Sequence, residues 1–483
     1  KEVEILAGQN EEWSDTTTTK RSVGIYTEGE AEANAGADAA ANYGALGIGN
    51  DASASASASA EASGTVTMGM RVEKEVDTSY TLTNRGSSFK SDGNLVIKAD
   101  EGVTFVGAKV KSEGGISIEA KNISNLAAKD IHNTSHSKTT ETVGLYLDGS
   151  ASAEAEVNAG LSGGASNSAS GGASAGGEIE VGAGLRVHTE SESETMNATT
   201  HVGNSFETGG DFKRTATDTI VDQATEVEAG GNIEQRARVI RDEAVHDVVT
   251  KTTESEEIDI KVGVYAGGSA EGTAEADAAA LGRTDKGTGK AAEKGAGFSA
   301  KVEYNEASGF SEEKTAVTSK FKSGGNISSH SDEGTTLVGT SFESGGDTSI
   351  QAATLDYQAA QDSTVESGSS NELAASAKIA VYGSAGVKAD AEYAHETTGS
   401  ESTTAKVGSI NAGGNLTITT TGDATFEGTS LNASNKAEID AGGNVDFNAA
   451  KSTESSTEAN LGLEASFSST DKNEGIEGSV EGG

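Results

Sequence analysis

Apolar and polar residues alternate with period two along most of this chain, and one short pattern recurs within the alternation. The pattern is an apolar residue, a spacer, Ser, Thr or Ala, and then Gly-Gly or a close variant, in most copies with Asn or Asp after the glycine. It reads Phe89-Lys-Ser-Asp-Gly-Asn94, Val110-Lys-Ser-Glu-Gly-Gly115, Phe206-Glu-Thr-Gly-Gly-Asp211 and Val227-Glu-Ala-Gly-Gly-Asn232. It continues as Phe321-Lys-Ser-Gly-Gly-Asn326, Phe342-Glu-Ser-Gly-Gly-Asp347 and Ile410-Asn-Ala-Gly-Gly-Asn415, with Leu431-Asn-Ala-Ser-Asn435 as a degenerate eighth copy. Within each pair (Phe89 and Val110, Phe206 and Val227, Phe321 and Phe342, Ile410 and Leu431) the step is 21 residues. A period of about 20 residues suits one coil of a β-solenoid, with short strands, tight turns and apolar side chains stacked about 4.8 Å apart. The spacing predicts that these eight apolar residues point into the solenoid core. It also predicts tight turns with positive φ at Gly93, Gly210, Gly231, Gly325, Gly346, Gly414 and Gly443 or at the residues after them.

A second landmark lies between the pairs: Val23-Gly-Ile-Tyr26, Val143-Gly-Leu-Tyr146, Val262-Gly-Val-Tyr265, Ile379-Ala-Val-Tyr382 and Leu461-Gly-Leu-Glu464. The four tyrosines are 120, 119 and 117 residues apart. The chain therefore reads as a super-repeat of inserted arm, two coils and Thr/Ser/Glu-rich connector. The divisions are 1–22 connector and partial coil, 23–76 arm, 77–142 coil pair, 143–190 arm, 191–261 coil pair, 262–305 arm, 306–378 coil pair, 379–395 short arm, 396–460 coil pair and 461–483 the start of a fifth arm. The arms alternate strictly. Ala31, Ala33, Ala35, Ala37 and Ala39 fall on one parity, with Glu28, Glu30, Glu32 and Asp38 on the other. Ala52 to Ala62 do the same on the return, leading into Val66, Met68, Met70 and Val72. A helix would scatter such residues around its circumference, whereas a strand sorts them onto two faces. Long β-hairpins are predicted, with arms of successive copies pairing edge to edge into a second, antiparallel sheet. That sheet should narrow where the fourth arm shortens. The acidic parity, with Glu28, Glu30, Glu154, Glu156, Glu271 and Glu275, should face water.

Composition sharpens this picture. Only 34% of the 483 residues are hydrophobic and 4% aromatic, while glycine numbers 63, which is too little bulky apolar mass for several compact cores. The formal net charge of −41 argues against nucleic-acid binding, which needs clustered Lys and Arg. Such charge keeps an edge-rich β-protein from aggregating. With no cysteine there are no disulfides, thiolate metal sites or cysteine nucleophiles, and stability must come from neighbouring coils. No apolar run approaches the roughly 18 residues of a membrane helix. A start at Lys1, with neither Met nor signal peptide, reads as a segment of something longer.

The coil motif, clearest in Gly413-Gly-Asn-Leu-Thr-Ile418 and Gly442-Gly-Asn-Val-Asp-Phe447, resembles the haemagglutinin repeats of filamentous-haemagglutinin-like exoproteins. These include adhesins and the large effectors of contact-dependent growth inhibition. The Thr/Ser/Glu runs leading into Val-Gly-Ile-Tyr resemble the second repeat region of that family. The resemblance implies an all-β fold, a right-handed parallel β-helix bearing the arms, in a bacterial protein secreted through an outer-membrane transporter and projecting from the cell surface. It implies as partners a receptor or the outer membrane of a target cell, and neighbouring copies of itself through arms or solenoid ends. In the contact-dependent inhibition members the second repeat region carries a C-terminal toxin across the target membrane.

Catalytic chemistry finds little support in the residues. His132 and His136 are four apart, a zinc spacing on a helix, but their polar setting has no helical pattern and reads as solvated. The other histidines are isolated, and no cofactor or metal motif appears. Parallel β-helices also host polysaccharide lyases and glycosidases, which place a few carboxylates in a cleft. Here 76 acidic residues are spread through every repeat and none stands out. Trp13, the single tryptophan, reads as covering a coil end rather than stacking on a sugar. The expected function is a structural and adhesive stalk segment. The alternative is a toxin-translocation segment, and a β-helix lyase or glycosidase is a distant third.

Overall fold

The computed structural model describes residues 1–31, 36–42, 51–58, 62–151, 155–162, 167–173, 177–270, 274–279, 293–383, 386–470 and 477–482. All regular structure among them is β. Eight coils stack in chain order, at 88–106, 109–126, 205–223, 226–243, 320–338, 341–358, 409–427 and 430–448. The repeat pattern forms one short strand per coil. Ser88–Ser91, Lys109–Ser112, Ser205–Thr208, Glu226–Ala229, Lys320–Ser323, Ser341–Ser344, Ser409–Ala412 and Ser430–Ala433 make an eight-stranded parallel sheet. The remaining strand segments of each coil join a thirteen-stranded sheet, also parallel, whose outermost strand is Glu2–Ile5.

The stack ignores the arms. Val110 pairs with Phe206 across 96 residues of sequence in the same parallel register as Phe206 with Val227. Likewise Val227 meets Phe321 and Phe342 meets Ile410. After every second coil the chain leaves, makes its excursion and returns one coil higher. The interior is a set of apolar columns. Val110, Phe206, Val227, Phe321, Phe342 and Ile410 are all at most 2% exposed, and Phe321 stacks on Phe342 with centroids 5.2 Å apart. Each such burial stabilises by about 1.5–3 kcal/mol.

Phe89 departs from the expectation. It is 46% exposed, because Ser88–Ser91 is the edge of its sheet and pairs with Lys109–Ser112 alone. Leu431, at the opposite edge, packs against the core only in part. The end coils lack the neighbour that would close over them.

The glycine turns depart further. None of Gly93, Gly210, Gly231, Gly325, Gly346, Gly414 and Gly443 has positive φ. Glycine is needed there for closeness rather than for its dihedral freedom. A Cβ on Gly346 would lie 2.2 Å from Asn326 Oδ1 of the coil before, and one on Gly414 2.2 Å from Asp347 Oδ1. These oxygens are occupied. Asn232 Oδ1 accepts from the Asn326 amide at 2.8 Å, Asn326 Oδ1 from the Asp347 amide at 2.7 Å, and Asp347 Oδ1 from the Asn415 amide at 2.6 Å. The Gly-Gly-Asn corner is thus a ladder of side-chain acceptors running up the solenoid. Gly443 belongs to a different corner, above Asp423, which accepts from the Asn444 amide. Positive φ falls where one coil steps to the next, at Gly107, Gly339, Gly428 and, unusually for a residue with a Cβ, Ala224 at φ 47°.

The excursions build two antiparallel sheets. The ten-stranded one consists mainly of very long strands, including Gly8–Ala31, Ala62–Arg85, Ala128–Ala151, Gly177–Val202, Val245–Ala270 and Glu293–Val317. Connector and arm base share one continuous strand in each. The five-stranded sheet joins arms of different copies: Asp51–Ala58 pairs with Ala155–Ser162, and Asn167–Ala173 with Ala274–Ala279. The register sets Ala54 opposite Ala159 and Ala159 opposite Ala169. Among the described residues no strand of the fourth excursion joins this sheet, in keeping with its shorter arm. The side chains of the acidic arm residues Glu28, Glu30, Glu154, Glu156, Glu271 and Glu275 lie outside the described residues.

Candidate functional site

The ten-stranded sheet has two unlike faces, and the Val-Gly-x-Tyr landmark makes them. Directly opposed residues of an antiparallel pair share a face. One such row runs Val23, Met70, Val143, Val187, Ile260 and Val302. The next runs Ile25, Met68, Leu145, Leu185 and Val262, and a third includes Val264, Phe298, Ile379 and Val387. Most of this face is open to solvent, with Leu185 at 63%, Val262 at 55% and Phe298 at 61%. Contiguous apolar surface of this extent marks an interaction site far more often than scattered single residues do.

The opposite face is concave. Lys261 Nζ donates to Thr65 Oγ1 at 3.0 Å although two strands lie between them. In a flat sheet three strand spacings are about 14 Å, too far for that bond. Glycines permit the curl. Gly69 sits opposite Gly144 and Gly184 opposite Gly263. A Cβ on Gly184 would lie 2.1 Å from the Val262 carbonyl oxygen, and one on Gly263 2.2 Å from that of Ala183. Changing Gly184 to Ala should therefore loosen the curl by about 1–3 kcal/mol. Hydrogen exchange should show lost amide protection in 177–202 and 245–270, with the coils at 409–427 unaffected. Unchanged protection in the two strands would refute the packing role.

Inside the curl Arg186 binds Asp259 through two bonds, of 2.7 and 2.9 Å, and reaches Thr67 at 3.2 Å. Lys261 lies 3.4 Å from the same carboxylate. Burial opposes the charge on Asp259, but the Arg186 bonds and the Lys261 charge outweigh it and hold the carboxyl below its usual range. Tyr146 of the landmark is buried on this face.

Sequence reasoning missed a second feature, a polar block inside the solenoid. Arg214 is fully buried, donating to Asp222 at 2.7 Å and to Gln235. Asn125 donates to Asp222 at 2.7 Å from the coil below, and Gln235 donates to Ser329 at 2.9 Å above. Asp242, 1% exposed, is opposite Asp222 in register. The signal was present in the repeat itself. Counting from the Asn corner, one column reads Ile97, Ile118, Arg214, Gln235, Ser329, Ile350, Ile418, Ile439. A second reads Phe105, Asn125, Asp222, Asp242, Leu337, Tyr357, Phe426. Both columns are polar at the coils of 205–223 and 226–243, with Asn125 extending the block one coil down and Ser329 one coil up.

His132 and His136 share a strand face, as alternate residues of Ala128–Ala151. His132 meets Thr81 at 3.0 Å and His136 meets Asp77 at 2.6 Å, the latter bond favouring the charged imidazole. Glu75, Asp77 and His136 place ligand-type atoms within 4.8 Å of one another, in an open setting where His136 is already bonded to Asp77. Trp13 does not cover a coil end. It lies in the long strand Gly8–Ala31, opposite Tyr80, and is 70% exposed.

Comparison with known proteins adds the family. A hemagglutinin-repeat family model matches residues 68–189, 185–296, 298–463 and 390–483. A hemolysin of Serratia marcescens is 24% identical over 433 residues, covering 84% of this chain, which spans 24% of that protein's length. Against solved structures, a copper transporter, OprC, aligns over 97% of this chain and 74% of its own with 7% identity and a TM-score of 0.07, a likeness too slight to carry any argument. With family matches running through four successive super-repeats of coil pair and excursion, the chain belongs to the hemagglutinin-repeat family of filamentous-haemagglutinin-like exoproteins.

Proposed function

We propose that this chain is a stalk segment of a large secreted exoprotein, extending from a bacterial cell surface and presenting an apolar sheet face to other surfaces. The observation that carries the reading is the pairing of an uninterrupted coil stack with three exposed apolar rows. Stacked coils give length and stiffness, since each contacts only its neighbours. Each super-repeat then acts as one unit, two coils of stalk and one excursion of contact surface. Secretion through an outer-membrane transporter fits the family. The partners this reading calls for are a receptor or outer membrane on a target cell, and neighbouring copies. A catalytic role finds no support, since the one clustered set of buried ionisable groups in the coils is sealed from solvent rather than open to a substrate.

The test is cell binding by the labelled chain and by a Leu185→Lys/Val262→Lys/Phe298→Lys variant. The reading predicts binding that the variant loses while keeping its β-sheet circular dichroism. Equal binding by both would contradict it.

A second reading draws on the same apolar rows and on the name of the Serratia relative, a hemolysin. In it the segment helps a C-terminal toxin across a target outer membrane. Dye release from vesicles of outer-membrane lipid, abolished in the same variant, would favour this reading over adhesion.

A further inference from the structure

The block around Arg214 contains one cation and two carboxyl groups in a sealed interior. Arg214 and Asp222 are 0% exposed and Asp242 is 1%. The guanidinium bonds Asp222, which also receives the Asn125 amide. Asp242 has no such donor. Both its oxygens, Asp222 Oδ2 and Thr340 Oγ1 are buried without a partner when every carboxyl is ionised. Asp242 stands directly opposite Asp222 on the neighbouring parallel strand. One proton pairs the two carboxyl groups. If Asp242 is a carboxylic acid, its O–H donates to Asp222 Oδ2. The block then holds Arg214⁺ and Asp222⁻ and is neutral. An ionised Asp242 would leave an unpaired charge buried, at a penalty the fold has nothing to offset.

We propose that Asp242 is kept as the neutral acid in the folded solenoid, sharing its proton with Asp222, and that losing this proton loosens the coils at 205–243. The groups facing Asp242 among the described residues agree with that state. Asn125 comes from the coil at 109–126, and Arg214 and Asp222 from the coil at 205–223. Gln235 shares the coil of Asp242 and accepts from Arg214, while Leu337 lies opposite Asp242 in the coil above. Tyr357 does not donate to it, since its single hydroxyl proton goes to the Thr340 carbonyl. Burial first, and then the Asp222 charge, push the Asp242 carboxyl well above its ordinary 3.8. Burial also works against Asp222, but Arg214 holds that carboxyl below its usual range.

The sign of the pH effect follows from linkage. Above 3.8 the unfolded chain releases this proton while the folded one keeps it, so folding takes up a proton and stability falls as pH rises. The fall ends where Asp242 ionises within the fold. In that window the equilibrium for opening this region shifts about tenfold per pH unit. The net charge of −41 imposes its own pH dependence, but on every coil.

The test compares the native chain with Asp242→Asn, using hydrogen exchange corrected for the intrinsic pH dependence of amide exchange, together with infrared spectroscopy. Native peptides from 205–243 should lose protection with rising pH relative to those from 409–427. Asp242→Asn should abolish that relative slope. At pH 7.5 the native chain should show the carbonyl stretch of a protonated carboxylic acid, since its exposed carboxylates are all ionised, and Asp242→Asn should lack it. A missing band in the native protein, a band that survives in the variant, or equal slopes in the two peptide groups would overturn the proposal. If Asp242→Asn fails to fold, the native band and the native slope decide it.

Discussion

Replacing Arg214 with methionine should destabilise the coils at 205–243 by about 3–5 kcal/mol, the cost of stranding a buried charge by removing its partner. Asp222 would keep the Asn125 amide and the proton shared with Asp242 but no cation, and Gln235 Oε1 would lose its donor. Combining Arg214→Met with Asp222→Leu and Asp242→Leu should recover most of that loss, because well-packed apolar groups of similar volume often replace a buried ion pair at little cost, while Asn125 and Gln235 each still lack one partner. Ile118 below Arg214 and Leu337 above Asp242 are already apolar. Local opening energies from native-state hydrogen exchange are the appropriate measure, since a coil stack need not unfold in one step. A triple variant less stable than the single one would show that the block is needed for packing and not merely tolerated.

Phe342→Ala should destabilise its coil by about 3–5 kcal/mol through lost transfer energy and an unfilled cavity. Phe342 is 1% exposed and stacks on Phe321 with rings 15° from parallel. The same change at Phe89 should cost under about 1 kcal/mol, because that ring is half exposed at the edge of the stack. Equal effects at the two positions would mean that the repeat pattern alone, and not the place of its coil in the stack, sets the energy. Chemical denaturation followed by hydrogen exchange of 320–358 and 88–112 separates the two.

The coil stack was legible in the sequence because every coil repeats the same demand. An apolar residue recurring at 21 residues, twice per super-repeat, admits few structures other than a stack. The pairing of arms from different copies was legible for a related reason. The strict parity of Ala against Glu or Ser fixes strands, and strands from successive copies need partners for their edges. Other features were not legible for physical reasons. A glycine can be required by φ or by closeness, and sequence shows only that it is glycine. The Gly-Gly-Asn corners use closeness and the Asn ladder, while positive φ sits at Gly107, Gly339 and Gly428, outside the motif. Exposure at Phe89 and Leu431 depends on which coils are terminal, a property of the stack and not of the motif. The connectors carry polar alternation that a solvated loop shares, so their merging with the arm bases into strands of 24–26 residues had no separate signal. The polar block did have one, in Arg214, Gln235 and Ser329 standing where the other five coils place isoleucine.

The central claim is that the coils form one continuous stack although the chain leaves it after every second coil. The chain has no cysteine, so a single introduced pair can report on it. Lys111 and Glu207 lie opposite each other on neighbouring parallel strands and are joined by an ion pair, although 96 residues separate them in sequence. Their backbones, about 4.8 Å apart, are within disulfide range. Lys111→Cys/Glu207→Cys, oxidised and digested, should give the cross-linked peptide by mass spectrometry. Glu207→Cys/Lys322→Cys, two coils apart, should not. Absence of the first cross-link, or equal formation of both, would contradict a continuous stack.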